Sequence, residues 1–180
     1  MNACSLAGHT TVLAGVDDGT APFVIPFAFL FYSYLGTAGW VSSNGVVGIG
    51  STASPAFGNT CLPSSSSPRN AIFAYWDDLR ARSGGICSGT TGIAPARQFV
   101  ITFNDLYPSG GSTSADHLTV SVILNEGSNT IDVVYRTLAG AVNGSSATVG
   151  LQNATGTVAS QSACNASGLA SGTVIRYQPM

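Results

Sequence analysis

Between Phe23 and Phe31 every second residue is large and apolar: Phe23, Ile25, Phe27, Phe29 and Phe31. A side-chain period of two is the mark of a strand with one face buried. The surrounding run "FVIPFAFLFYSY" is the greasiest in the chain, and three uses of it compete. A helix crossing a bilayer needs about 20 mostly apolar residues, and the clean stretch from Ala21 to Phe31 is far shorter. Pro22 and Pro26 interrupt it, and proline removes a backbone donor and clashes with the turn before it. A secretion signal would begin at the N-terminus behind a basic residue, yet no Lys or Arg precedes Arg69. What remains is a buried β-strand with Pro26 at a kink or an edge.

The same period recurs down the chain. In "WVSSNGVVGIG" the segments Trp40–Ser43 and Val46–Ile49 flank Asn44-Gly45. Asn-Gly supplies the two positive φ angles of a type I′ turn, so a hairpin is expected there. Residues 51–70 are a Ser/Pro/Gly/Asn loop, and Ala71–Trp76 is a strand apolar on both faces that ends at two carboxylates. A short strand is read around Ile86–Thr90. Phe99, Ile101 and Phe103 share one face; so do Leu118, Val120, Val122 and Leu124, and Ile131, Val133 and Tyr135. Asn125–Asn129 is a turn of hairpin length, and "SATVGLQ" and "GTVIRYQ" supply the last two strands. No segment places apolar residues at helical spacing over a helical length. The expected fold is all-β: a two-sheet antiparallel β-sandwich of jelly-roll or immunoglobulin-like complexity, stapled by disulfides. It forms one domain over residues 1–180, with residues 1–11 read as an extended N-terminal arm.

Composition narrows the function classes. The 180 residues are 44% apolar, enough for a real core, and only 8% are charged, against roughly 25% in typical soluble domains. Six Arg, no Lys and a net charge of −2 leave no basic footprint for nucleic acid and no cationic face for anionic lipid. Cys4, Cys61, Cys87 and Cys164 are widely spaced, with no C-x-x-C pair. An even count in a chain rich in Ser, Thr and Gly favours two disulfides and an oxidising compartment over four reduced core thiols. Spacing alone leaves three connectivities open. Asn143, Asn153 and Asn165 head N-glycosylation triplets, a pattern that arises readily by chance in such a chain. The chain reads as a mature form or as a domain of a longer protein.

In order, the segments "PFAFLFYSY", "WVSSNGVVGIG", "NTCLP", "NAIFAYWDDL", "APARQFVITF", "LTVSVILNEGSNTIDVVY" and "ATVGLQNATGT" resemble a bacterial extracellular β-sandwich domain with a nidogen-like character. The resemblance covers roughly Val12 to Gln178. Each motif is loose alone; the series in order is specific. It implies a non-catalytic extracellular module, found beside proteases, adhesins or immunoglobulin-like repeats, and it implies no defined ligand. In relatives of the "N-T-C-L-P … Y-S-C-N" type the two motif cysteines belong together, so the resemblance implies Cys61 with Cys164 here and leaves Cys4 with Cys87.

Chemistry-bearing residues are sparse. His9 and His117 are the only imidazoles and no G-x-S-x-G elbow occurs. Without Lys there is neither a Schiff base nor an isopeptide crosslink. Adjacent aspartates on a strand face opposite ways, so Asp77 and Asp78 make a facing glycosidase pair only if the backbone turns there. Asp17-Asp18 and Asp77-Asp78 are acid-rich and next to loops. Two readings stand for them: a calcium site completed by backbone and amide oxygens, or local hydrogen bonds within turns. Among the aromatic residues, Tyr34 and Tyr107 are the expected exposed candidates for contact with a ligand.

The leading functional expectation is a secreted or cell-surface, non-enzymatic module for adhesion, recognition or surface structure. Its partners would be an extracellular protein, a glycan, or copies of itself. No cofactor is expected apart from calcium. A self-assembling fibre or layer subunit joined by strand addition is the alternative; a hydrolase using Asp77 or Asp78 is the third reading.

Overall fold

The computed structural model describes residues 1–50, 52–66, 68–81, 85–110 and 115–179. After a short 3-10 turn at Ala3–Ser5 come strands β1 (Thr10–Leu13), β2 (Thr20–Phe31), β3 (Tyr34–Ser42) and β4 (Val46–Ile49). They are followed by β5 (Ala71–Trp76), β6 (Leu79–Ala81), β7 (Ile86–Thr91), β8 (Gln98–Pro108) and β9 (His117–Asn125). The last four are β10 (Ile131–Ala139), β11 (Thr148–Gln152), β12 (Ala159–Cys164) and β13 (Val174–Tyr177). One sheet runs β1-β7-β8-β9-β10-β13, with β6 also on β8; the other runs β12-β11-β5-β4-β3-β2. Every pairing is antiparallel. The fold is therefore the expected two-sheet all-β sandwich with two disulfides.

The aromatic row does what its period demands. Phe23, Ile25, Phe27, Phe29 and Phe31 all point into the space between the sheets, against Phe99, Ile101, Phe103 and the Leu118–Leu124 face. Pro26 falls in the irregular stretch of β2 between Val24 and Phe29, on the outermost strand of its sheet. β5 lies between β4 and β11 and is buried along its whole length. Its burial needs a second apolar layer outside the sandwich, and the 52–70 loop provides it. Trp40, Val46, Leu62, Ala71, Phe73 and Trp76 pack there, with the Trp76 indole N–H donating to the Ala56 carbonyl at 2.8 Å. The disulfide Cys61–Cys164 ties this cover to β12.

The opposite sheet is covered in the same manner. Cys87, Val100 and Ile123 form an apolar patch on its outer face, and Ala3 closes it. The Ala3 amide donates to Thr102 Oγ1 at 2.9 Å, Ser121 Oγ donates to the Met1 carbonyl at 2.8 Å, and Cys4 is bonded to Cys87. The N-terminal residues are thus a folded lid continuing into β1, not an extended arm. Apolar side chains on that face demand cover, and the nearest chain supplies it.

One local expectation differs from the structure, and two strands are additional to those expected. Ser42 pairs with Val46 across the β3–β4 hairpin, so the loop is the three residues Ser43–Gly45. Gly45 has a positive φ of 76° and Asn44 does not, so the turn is not type I′. The cause is that Asn44 is fully buried and its amide is bonded elsewhere, as described below. β6 and β12 are not legible: one is three residues long, and the other, "ASQSAC", has no apolar alternation because it is a partly exposed edge with no buried residue.

Candidate functional site

The 14–19 connection leaves β1 and enters β2 at one corner of the sandwich, carrying Asp17 and Asp18. The bend after β5 brings Asp78 to the same corner. One carboxylate oxygen from each of Asp17, Asp18 and Asp78 lies within 4.8 Å of the others. Asn44 builds the corner from beneath. Its Oδ1 accepts from the Leu79 amide at 2.9 Å, while its Nδ2 donates to Asp18 Oδ1 and to the Pro55 carbonyl, each at 2.9 Å. Asp18 sits at a φ of 48°, a left-handed conformation that its short side chain tolerates when locally bonded. Arg80 closes one side, with its guanidinium 2.9 Å from Asp17 Oδ2.

Electrostatics follow from this crowding. The Asp78 carboxyl is held above its ordinary value, first by partial burial and then by the charges of Asp17 and Asp18; Ser109 and Arg80 oppose the shift. The donor set is oxygen-only, the kind calcium and other hard cations prefer, and one of its three carboxylates is already neutralised by Arg80.

Asp77 is not part of this group. Its Oδ1 accepts from the Asp78 amide at 2.9 Å and its Oδ2 from Ser146 Oγ at 2.6 Å, and burial raises its carboxyl. The two neighbours diverge because the strand has already ended at Trp76 and the chain bends. Of the four aspartates singled out in the sequence, three converge and one caps a separate turn.

Tyr34 and Tyr107 do not converge either. Tyr107 lies opposite Arg80 in the β6–β8 pairing, close to the acidic corner. Half-buried Tyr34 borders a shallow cavity of about 290 Å³ with Ile49, Thr52, Arg69 and Asn70, at the other end of β5. His9 is exposed, with Nδ1 2.9 Å from the Leu6 carbonyl, and His117 opens β9 opposite Ala139.

Two features escaped the sequence. One is Asn44 itself, which reads as a turn residue because no local pattern distinguishes a buried amide from an exposed one. The other is a cavity of about 510 Å³ between β1 and β2, at the lateral opening of the sandwich, with Phe23 and Phe99 at its base. Their rings touch at a centroid distance of 5.4 Å.

The chain is thus a disulfide-stapled antiparallel sandwich, covered on both outer faces, with an oxygen-lined acidic loop at one corner. A family model described as NIDO related matches residues 3–178, and the chain belongs to this nidogen-related family. No curated protein and no solved structure matches it. The two disulfides fit an oxidising, extracellular setting, and among the described residues no helix is long and apolar enough to cross a membrane.

Proposed function

We propose that this chain is a non-catalytic recognition or adhesion module of secreted or cell-surface proteins. The observation that carries the reading is the use to which its few charges are put. Glu126 holds Arg97, Asp132 holds Arg176, and Asp77 holds Ser146 and a backbone amide. Each is spent on cross-strand or turn geometry. Outside the acidic corner of Asp17, Asp18 and Asp78, the surface left for a partner is mostly Ser, Thr, Gly and Asn loops and an uncharged lateral opening, suited to hydrogen bonding and shape rather than to charge.

The test is binding of the purified, oxidised domain to arrayed extracellular-matrix proteins and neutral glycans, run beside a broad hydrolase screen. Saturable binding with no turnover is expected, unchanged in an Asp77→Asn, Asp78→Asn double variant. Turnover abolished by that double variant, with no binding to any arrayed surface, would overturn the reading.

A further inference from the structure

We propose that the lateral opening between β1 and β2 takes an extended, uncharged peptide segment from another protein, added as a strand along the free edge of β1. This rests on the recognition reading and gives it a site.

The two sides of the sandwich differ. On the β12/β13 side the edges are joined, Ser162 Oγ and Tyr177 Oη lying 2.8 Å apart. On the other side, β1 ends its sheet and β2 ends the other, and the cavity of about 510 Å³ lies between them. Among the described residues β1 has β7 as its strand partner, and that pairing reaches only from Ile86 to Ser88. The far edge of β1 therefore offers backbone donors and acceptors at strand spacing.

β2 cannot offer the same. Burial alternates without a break from Phe23 to Phe31, so the odd-numbered residues face inward throughout. Backbone hydrogen-bonding direction alternates with the same period. The even-numbered Leu30 amide donates to Asn129 Oδ1 at 3.0 Å instead of to β3. Pro22 and Pro26 share its parity and have no N–H to donate, which blunts that edge. An incoming strand is thus directed to β1.

The lining selects the chemistry of the segment. None of the residues bordering the cavity is ionisable, so a charged side chain entering it would lose hydration with nothing to offset the loss. Phe23 and Phe99 are only 8% and 4% exposed, which leaves no aromatic face for a sugar ring to stack on. They form an apolar base for alternate side chains of the segment, whereas its backbone is met by β1. Val24, 72% exposed on the outer side of β2, extends the apolar rim.

The probe is acetyl-Ser-Val-Thr-Val-Ser-amide titrated into isotope-labelled protein and followed by two-dimensional NMR. Two N-methylated versions block alternate amides, one at both valines and the other at the threonine and last serine. Shifts confined to Thr10–Leu13 and Thr90 are expected at millimolar peptide, insensitive to salt. Exactly one N-methylated version should weaken binding by about tenfold or more, since a strand pairs through alternate amides. Thr90→Trp, which fills the rim, should abolish the shifts, whereas Val158→Trp, remote and exposed, should not. Circular dichroism of both variants is the check that each is folded. No shifts at millimolar peptide, equal effects of both N-methylations, or a neutral hexasaccharide moving the same residues instead would overturn the proposal. Array binding retained by Thr90→Trp would sink this site and leave the recognition reading intact.

Discussion

The backbone amide of Leu79 donates to the side-chain oxygen of Asn44 across 35 positions of sequence, at 2.9 Å. The same side chain grips Asp18 and the Pro55 carbonyl. One buried amide therefore joins the β3–β4 turn, the acidic loop, the 52–70 cover and the start of β6. Asn44→Ala leaves the buried Leu79 amide without an acceptor, at a cost of about 1–3 kcal/mol, whereas Asp18 and Pro55 are exposed and can turn to water. We expect a loss of about 1–3 kcal/mol and a midpoint lowered by several degrees, read by thermal unfolding of the oxidised protein. An unchanged midpoint would show that the corner holds without it.

The hydrogen-bonding role of Asn44 was beyond the reach of sequence, whereas the strand row at Phe23–Phe31 was plain. Period-two burial is a local property: each residue's neighbours reveal it. A long-range polar node has no period. Asn44-Gly45 is legible as a hairpin but not as a turn type, because the buried amide of Asn44 is held by long-range partners; the glycine is fixed by contact as well as by φ. A Cβ at Gly45 would lie 2.0 Å from the Tyr75 carbonyl oxygen. Aspartate convergence was half legible for a similar reason. Two acidic pairs flag two loops, but the bend after Trp76 decides which member of each pair reaches the corner.

Acid stability should turn on Glu126. The Arg97 side chain, bonded to it at 2.6 and 2.9 Å, holds its carboxyl down at about 2 from an ordinary 4.5. A carboxyl lowered in the folded state contributes stability that is present above its unfolded value and lost as pH falls through its folded one. Asp132, lowered by Arg176, acts in the same direction. Denaturant midpoints should therefore drop between about pH 4.5 and 2. In Glu126→Gln this limb should be shallower, with a lower plateau at neutral pH. An identical acid limb in the variant would refute the assignment.

Asp78 should show the opposite sign. Its carboxyl is raised, so the charged form is disfavoured in the folded chain and stability rises as pH falls toward its unfolded value of 3.8. Asp78→Asn removes the repulsion with Asp17 and Asp18 while keeping a polar group. It should raise the midpoint slightly at pH 7 and make no difference well below pH 3.8. A lower midpoint at pH 7 would mean that the carboxylate contributes more than it repels.

The two disulfides should open in order. Cys61 is exposed, while Cys87 is buried beneath the N-terminal lid. A thiolate must reach a sulfur to exchange with it, so mild dithiol should reduce Cys61–Cys164 first, as read by differential alkylation. The 52–70 cover then loses its tether to β12, and tryptophan emission should shift to the red as Trp40 and Trp76 become wetter. With a separation of 103 residues, a Cys61→Ser, Cys164→Ser variant should lose about 2–5 kcal/mol. Prior labelling of Cys4 and Cys87 would reverse the order.

Gly48 is a strand residue that ought to tolerate replacement, and its neighbour forbids it. It pairs with Trp40 across β3 and β4, and a Cβ on it would lie 1.9 Å from Trp40 Cε2. Gly48→Ala should improve the intrinsic strand preference slightly and still destabilise, since overpacking in a dense layer costs about 1–3 kcal/mol. Coupling separates this from a backbone effect. If the indole is the obstacle, Trp40→Leu costs packing alone, and adding Gly48→Ala to it should cost little more. Unfolding of the four-protein cycle should give a coupling of about 1 kcal/mol or more between the two sites. Additive losses would place the penalty in the β4 backbone, and the outer cover would then owe nothing to this contact.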